Sequence, residues 1–520
     1  IRDSFLMFVY ADTAQRHGCE EYQMQALAQA LQNLGDWLTL HLTMWILVGT
    51  GLYLTIRLRG VQFRLLPAMV RSILSSRAGA SGGISSFQAF TISLAARVGI
   101  GNVFGVAAAL ILGGPGAVFW MWVIALVGMA TAFAEATLAQ IFKVRADDGT
   151  FRGGPATYMW LGMGSRKLGV LFSVLTIATC GFSIIMVQSN AISGIIGPGS
   201  SINASKEVTA ALLFVLAAPV ILGGIRSVAR VTEWMAPIMS VVYLGLGLGA
   251  LAVNYDRVLP ALEIIVESAF GPAQFAGGVT GGIMAALING TKRGLFSNEA
   301  GQGTAPNAAA TATVAHPIQQ GLVQSLGVFV DTIIVCTMTA IVILSAGSSV
   351  YTPGTLDPSQ AASLTQKAVV SALGGWAEIP MALIITVLAF SSVLAAASYS
   401  EVAVNFISPK KGGRIFVRVL SVVSTVLGAL ATLELVWNSV DVMMAIMTAT
   451  NLLALIWLAK WVSGALRDWE SQRRVGSEMC IRDSWESQRR DGVKTPVFVG
   501  KNNPNLPADV KTNVWETPAS

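Results

Sequence analysis

The sequence predicts an all-α membrane protein of about eleven spans, ten of which divide as five plus five into inverted halves. Three observations predict it. Of 520 residues, 53% are hydrophobic and only 12% charged, with mean hydropathy +0.63, whereas a soluble domain carries about 25% charged residues. Apolar runs of about 20 residues, the length that crosses a bilayer, recur along the chain. Two of those runs are interrupted at their middle by glycine and polar residues, about 195 residues apart.

The runs centre on residues 37–56, 86–112, 117–142, 168–193, 208–225, 233–252, 271–313, 320–346, 381–405, 415–433 and 441–462. With the first set aside as an extra helix, a broken helix opens each group of five. Five is odd, so the second group enters from the opposite face, which makes an inverted-topology repeat. Residues 1–35 then form an N-terminal segment, 36–465 the transmembrane domain and 466–520 a cytoplasmic tail.

The first interruption is Gly99-Ile100-Gly101-Asn102 and the second Phe296-Ser297-Asn298-Glu299-Ala300-Gly301-Gln302-Gly303. A helix in lipid satisfies its own backbone, so a break at that depth survives only where it lines a protein-walled cavity. Matched breaks in two halves of a chain mark the binding site of a secondary transporter. A channel built from the same polar breaks is the competing class; polar residues gathered at mid-depth, with no continuous polar face, favour a carrier.

Loop charges give an orientation. If the loop after the first span is cytoplasmic, the cytoplasmic loops hold Arg57, Arg59, Arg64, Arg71 and Arg77; Lys143, Arg145, Arg152, Arg166 and Lys167; Arg226 and Arg230; and Lys410, Lys411 and Arg414. The external loops hold Lys206, Arg257 and Lys367. This positive-inside bias places the N-terminus outside and the C-terminus in the cytoplasm of a bacterial inner membrane. No cleavable signal peptide is apparent over residues 1–30.

Other classes find little support. The net charge of +6 is spread over short loops rather than gathered into a basic stripe with aromatics, so nucleic acid is not an expected partner. The four cysteines, Cys19, Cys180, Cys336 and Cys480, and three histidines, His17, His41 and His316, are scattered, which indicates neither a disulfide framework nor a metal centre. There is no phosphate loop, metalloprotease motif or dinucleotide fingerprint, so no enzyme and no cofactor are expected.

The termini carry a repeat. Trp469-Glu470-Ser471-Gln472-Arg473-Arg474 recurs at 485–490, and Ile1-Arg2-Asp3-Ser4 recurs at 481–484. Glu478-Met479-Cys480-Ile481-Arg482-Asp483-Ser484 between the copies is similar to a translated transposon end used in preparing sequencing libraries. It reads as an assembly artefact, with a duplicated polar tail as the alternative, and residues 1–25 fall under the same suspicion.

Gly113-Gly114-Pro115-Gly116-Ala117-Val118-Phe119-Trp120-Met121-Trp122 resembles the signature run of the alanine or glycine:cation symporters. Leu94 to Asn102 and Lys292 to Gly301 are similar to further blocks of that family, and the resemblance covers roughly residues 35–465. It implies a leucine-transporter-like fold, sodium as the co-transported ion, and alanine or glycine as cargo; the expected protein is a monomer carrying alanine, glycine or D-alanine. Proton coupling is the alternative.

An interrupted helix offers unpaired N–H groups to a carboxylate and free carbonyls to an ammonium or a cation. The cargo carboxylate is therefore expected on the N–H groups of Ile100 and Gly101, beside Asn102. Gly-x-Gly as a plain packing device is the alternative. Phe296 is expected to cap the side-chain pocket, with Ser297 and Asn298 beside it. The family resemblance adds Gln188 as a substrate contact. It also places sodium among the carbonyls of Ala95, Val98 and Leu388 and the hydroxyls of Ser391 and Ser392, oxygen ligands that suit a hard cation. Ile100 stands where many family members carry threonine, which bears on cargo choice.

Ionisable groups at membrane depth cost about 2.5–3.5 kcal/mol each and default to functional roles. Arg97, Glu135, Arg293, Glu299, Asp331 and Glu401 qualify. Arg97 is expected to pair with Glu299 or Glu401 as a gate, with a structural ion pair as the alternative.

Overall fold

A computed structural model describes residues 23–74, 84–145, 151–198, 200, 202–270, 282–314 and 316–475. His17, Cys19, Arg77, Cys480, the opening of the second interrupted run at 271–281 and the second copy of the repeated tail lie outside the described residues.

Among the described residues the architecture is helical apart from two short strand pairs. The principal helices are α1 (Gln23–Arg57), α2 (Ser86–Arg97), α3 (Gly101–Gly113), α4 (Gly116–Ile141), α5 (Pro155–Met163), α6 (Arg166–Ile196), α7 (Lys206–Leu222) and α8 (Ile225–Val253). They continue as α9 (Tyr255–Phe270), α10 (Gly282–Asn298), α11 (Ala305–Thr311), α12 (Pro317–Ser345), α13 (Ala361–Leu373), α14 (Gly375–Ile407), α15 (Lys411–Leu430) and α16 (Leu433–Ser471). Within the described residues every predicted span falls on one of these helices or on a broken pair. The expected count of eleven is not confirmed: among the described residues eight helices are long and apolar enough to cross a bilayer, or nine when α2 and α3 are taken together. Helices α7 and α10 have 17 residues each, about 25 Å of helix against a hydrocarbon core of about 30 Å.

Local signals account for several boundaries. Ser85 and Gln88 form a reciprocal capping box at the start of α2, and Ser165 and Ser205 cap α6 and α7 through their side chains, each satisfying an N–H that the helix cannot. Gly114 at φ 70° and Gly224 at φ 76° make the tight turns before α4 and α8.

The two broken helices meet at one face. Strand β1 (Ile84–Ser85), which enters α2, pairs in parallel with β4 (Ala312–Thr313), which leaves α11; Val144–Arg145 and Phe151–Arg152 form the antiparallel hairpin β2–β3. The entry of one broken helix therefore lies beside the exit of the other, as an inverted repeat requires. Helix α4 packs against α10 and α12. On one face Arg64 after α1 pairs with Glu470 of α16 at 2.6 Å, and elsewhere Arg257 before the bulk of α9 donates to the carbonyl of Ser345 at the end of α12 at 3.1 Å.

Candidate functional site

The first break is at Val98 and Gly99, between α2 and α3, which are bent by 41°. Val98 leaves the helical region at φ −76°, ψ 79°, and Ile100 returns to it. The predicted interruption is thus shifted: Ile100 and Gly101 occupy the first turn of α3, where backbone N–H groups lack an intrahelical acceptor. The Gly99 N–H is taken up by Asn102 Oδ1 at 3.0 Å.

The second break is narrower than predicted. Phe296, Ser297 and Asn298 are the last turn of α10, and the irregular stretch is Glu299–Thr304. Glu299 holds φ 54°, uncommon for a residue with a Cβ, and Gly301 and Gly303 both hold φ 82°. A carboxylate from α4 grips this loop. Glu135 accepts from the N–H groups of Gly301 at 3.3 Å and Gly303 at 3.1 Å, and from Asn451 Nδ2 at 3.0 Å. Asn451 also donates to the Gly301 carbonyl at 2.9 Å and accepts from Tyr158.

The two breaks are joined by a buried polar network. Asn102 Nδ2 lies 2.6 Å from Asp331 Oδ1 and 3.2 Å from Ser297 Oγ and Cys336 Sγ. Ser297 and Thr332 each donate to Asp331 Oδ2 at 2.8 Å. Gly101–Gly105 and Phe329–Cys336, which supply Asn102, Asp331, Thr332 and Cys336, are both wide π-helical turns, a geometry frequent at functional sites. Sequence reasoning placed Asn102 and Ser297 here. It flagged Asp331 only as an ionisable residue at depth and missed Thr332 and Cys336, because hydroxyl and thiol side chains in an apolar run carry no distinguishing signal.

Arg97 does not form either expected ion pair. Its Nε donates to the Asn298 carbonyl at 2.9 Å and its Nη1 to the Gln324 side chain and carbonyl at 3.0 and 3.2 Å. Glu299 instead accepts from Thr304 Oγ1 at 2.9 Å. Glu401 is held by both arms of Arg418, at 2.6 and 3.0 Å. The reason is placement: Arg97 is nearly fully buried and points at the C-terminal end of α10, whose free carbonyls attract a cation.

The hydroxyls of α14 converge on the first break. Ser392 Oγ is 2.8 Å from the Ala95 carbonyl and 3.3 Å from that of Leu388; Ser391 Oγ is 3.2 Å from Ala95 and 2.7 Å from Leu388. Ala96 adds a further carbonyl, 3.2 Å from Ser392, outside the expected ligand set. Val98 is buried beside them but is not among their hydrogen-bond partners.

Phe296 packs in a buried aromatic stack, 4.8 Å from the Trp437 ring, which stacks on Phe104 at 4.5 Å. A Cβ on Gly101 would come within 3.0 Å of Ser297 Cα and 3.2 Å of the Phe296 ring. Gly101 therefore serves close helix approach as well as backbone exposure. Gln188 is buried on α6 and its Oε1 has no hydrogen-bond partner among the described residues, as is the case for Asn298 Nδ2.

Known proteins are similar to this chain in fold and in sequence. The fold is similar to that of MhsT crystallised with L-phenylalanine, at TM-score 0.56 and 14% identity over 75% of this chain and 93% of that one; the fold is leucine-transporter-like. A relative from Haemophilus influenzae described as an uncharacterized transporter is 41% identical, covering 86% of this chain and 94% of its own. A probable sodium/glutamine symporter, GlnT of Bacillus subtilis, is 39% identical over 87% of this chain and 93% of its own. The sodium/alanine symporter AgcS of Methanococcus maripaludis is 39% identical over 80% and 91%. Residues 24–483 match the sodium:alanine symporter family, and the chain belongs to that family of sodium-coupled amino-acid symporters.

Proposed function

We propose that the protein imports a small neutral amino acid, alanine, glycine or D-alanine, with sodium, across a bacterial inner membrane by alternating access. The N-terminus is outside and the C-terminus cytoplasmic. The convergence of Ser391 and Ser392 on the Ala95 and Leu388 carbonyls carries the sodium reading. These four residues, with Val98 supplying a further carbonyl, form an uncharged oxygen cluster suited to a hard monovalent cation. The carboxylate of the cargo meets the N–H groups of Ile100 and Gly101 at the start of α3. Asn102, Ser297 and Asn298 lie around it, and Gln188 reaches it from α6 once the helices rearrange. The tight approach of Phe296 to Gly101 favours a short side chain. Arg97, Glu299 and Glu401 serve the gating rearrangement through their present partners rather than as one ion pair. The ion supplies about 2.3 kcal/mol per charge per 100 mV, plus its concentration term.

Radiolabelled alanine uptake into proteoliposomes, with sodium, potassium and proton gradients imposed separately, tests this reading. Accumulation against a gradient is expected with sodium alone. Accumulation driven by protons alone would assign coupling to a buried carboxylate, for which Asp331 between Asn102, Ser297 and Thr332 is placed. Conductance without accumulation would identify a channel.

A further inference from the structure

A cavity of about 230 Å³ opens beside the β1–β4 pair, and no residue of either break lines it. Its size falls below the roughly 300–1,000 Å³ of pockets that hold drug-sized ligands, so a small occupant suits it. Arg152 of the β2–β3 hairpin, Arg226 at the start of α8, and Arg414 and Arg418 of α15 line it with Glu401 and Asn405 of α14. Arg418 is committed: it clasps Glu401 and donates to the Leu222 carbonyl at 2.8 Å. Arg152, Arg226 and Arg414 have no carboxylate partner among the described residues. No side chain caps the start of α8, so the partial positive charge of that helix end adds to theirs.

Arg152, Arg226 and Arg414 belong to the loops that the positive-inside bias makes cytoplasmic, which explains their side of the membrane. It does not explain why they are gathered in a recess around an unused acceptor. Asn405 Oδ1 is buried and has no hydrogen-bond partner among the described residues, and a buried acceptor without a donor is costly. Glu401 gives one contact from each oxygen to Arg418, whereas a carboxylate offers about four acceptor positions. Unpaired donors and unpaired acceptors thus share one small space. A simple anion such as phosphate would use the arginines and meet Glu401 and Asn405 Oδ1 unfavourably. A simple amine would meet the guanidinium groups. An α-amino acid carries both signs on one carbon and uses both sets.

We propose that this cavity is a second cargo site on the cytoplasmic side, holding the carboxylate of an α-amino acid on Arg226 and Arg414 and its ammonium on Asn405 Oδ1 and Glu401. Guanidinium forks match a carboxylate in bidentate geometry. Thr311 at the end of α11 and Ile84 at the entry to α2 also line the cavity. The site therefore borders the far ends of both broken helices, where cargo leaving the breaks passes into the cytoplasm. It rests on the cargo being an α-amino acid, and it reads only the head group that all of them share.

Ile225 lines the cavity with an apolar side chain, so I225C reports occupancy without removing a recognising group. Its labelling by N-ethylmaleimide in the purified full chain without sodium, read on the peptide carrying residue 225, tests the site. Saturating L-alanine is expected to slow labelling at least about fivefold, and propionate, ethylamine or inorganic phosphate at the same concentration less than about twofold. Adding R226Q/R414Q should raise the half-protecting alanine concentration at least about tenfold, while R226K/R414K, which keeps both charges, should stay within about threefold. If I225C resists labelling or the double glutamine variant does not fold, sodium-free binding of tritiated alanine reads the same site. R226Q alone, at an exposed residue, is then expected to weaken it about threefold. Equal protection by phosphate or propionate overturns the proposal in favour of a plain anion site. Protection that survives R226Q/R414Q, or no protection by alanine while sodium-driven uptake is intact, overturns it outright. Failed alanine uptake with protection retained sinks the alanine cargo and leaves the cavity site standing.

Discussion

Ser392 Oγ lies where residue 99 has room for nothing larger than hydrogen: a Cβ on Gly99 would sit 2.1 Å from it. The glycine is there for the serine, which reaches past it to the Ala95 carbonyl. Gly99→Ala is therefore expected to displace Ser392 and open the proposed sodium site. Half-maximal sodium for uptake should rise at least about tenfold, about 1.4 kcal/mol. Sodium titration of proteoliposome uptake measures it, with gel-filtration profile as the folding control.

Replacing Ser391 and Ser392 together with alanine removes two oxygens without adding bulk. Sodium affinity should again fall at least about tenfold while the protein still inserts and purifies. Unchanged sodium dependence in the double variant would remove the assignment, and Ser391→Thr, which keeps a hydroxyl, should retain coupling.

Asp331 accepts from three side chains at once. Asp331→Asn turns one acceptor oxygen into a donor facing Asn102 Nδ2 or Ser297. Hydrogen bonds to a charged group contribute about 1.5–3 kcal/mol each, so a lowered melting temperature and uptake reduced by about a hundredfold or more are expected. If the carboxylate carries the coupling proton, uptake in Asp331→Asn should lose its pH dependence; if sodium couples, it should not.

The wall beside Gly101 sets cargo size. Gly101→Val collides with Ser297 Cα and the Phe296 ring and should abolish transport. Phe296→Ala opens the stack against Trp437 and should admit valine and leucine at some loss of alanine affinity. Ile100→Thr leaves the backbone N–H in place and should alter selectivity alone. Competition uptake with glycine, alanine, serine, valine and leucine distinguishes the three. Normal alanine transport by Gly101→Val would show that the first break does not touch cargo.

Glu135 pins the second break through two backbone N–H groups and Asn451. Glu135→Gln keeps one acceptor oxygen and presents an amide to donors, so one of the loop N–H groups loses its partner at a cost of about 1–3 kcal/mol. Hydrogen exchange over residues 299–304 should quicken, and the turnover rate should change more than KM, since no cargo contact is removed.

The sequence by itself determined the class and the places of breakage. Long apolar runs admit only helices in lipid, and Gly99 to Asn102 and Phe296 to Gly303 interrupt them with glycine and polar residues where lipid tolerates no loose backbone. Those are local properties, legible without a partner. Tertiary structure decided which groups meet. Arg97 chose the Asn298 carbonyl and Gln324 over either carboxylate, and Glu401 chose Arg418, because ion-pair partners follow the packing of α10, α12 and α15, which spacing along the chain does not encode. Asp331 became the hub between the breaks only when a π-helical turn of α12 brought it against Asn102 and Ser297. The convergence of Ser391 and Ser392 on Ala95, almost 300 residues apart in sequence, likewise rests on close helix packing permitted by one glycine.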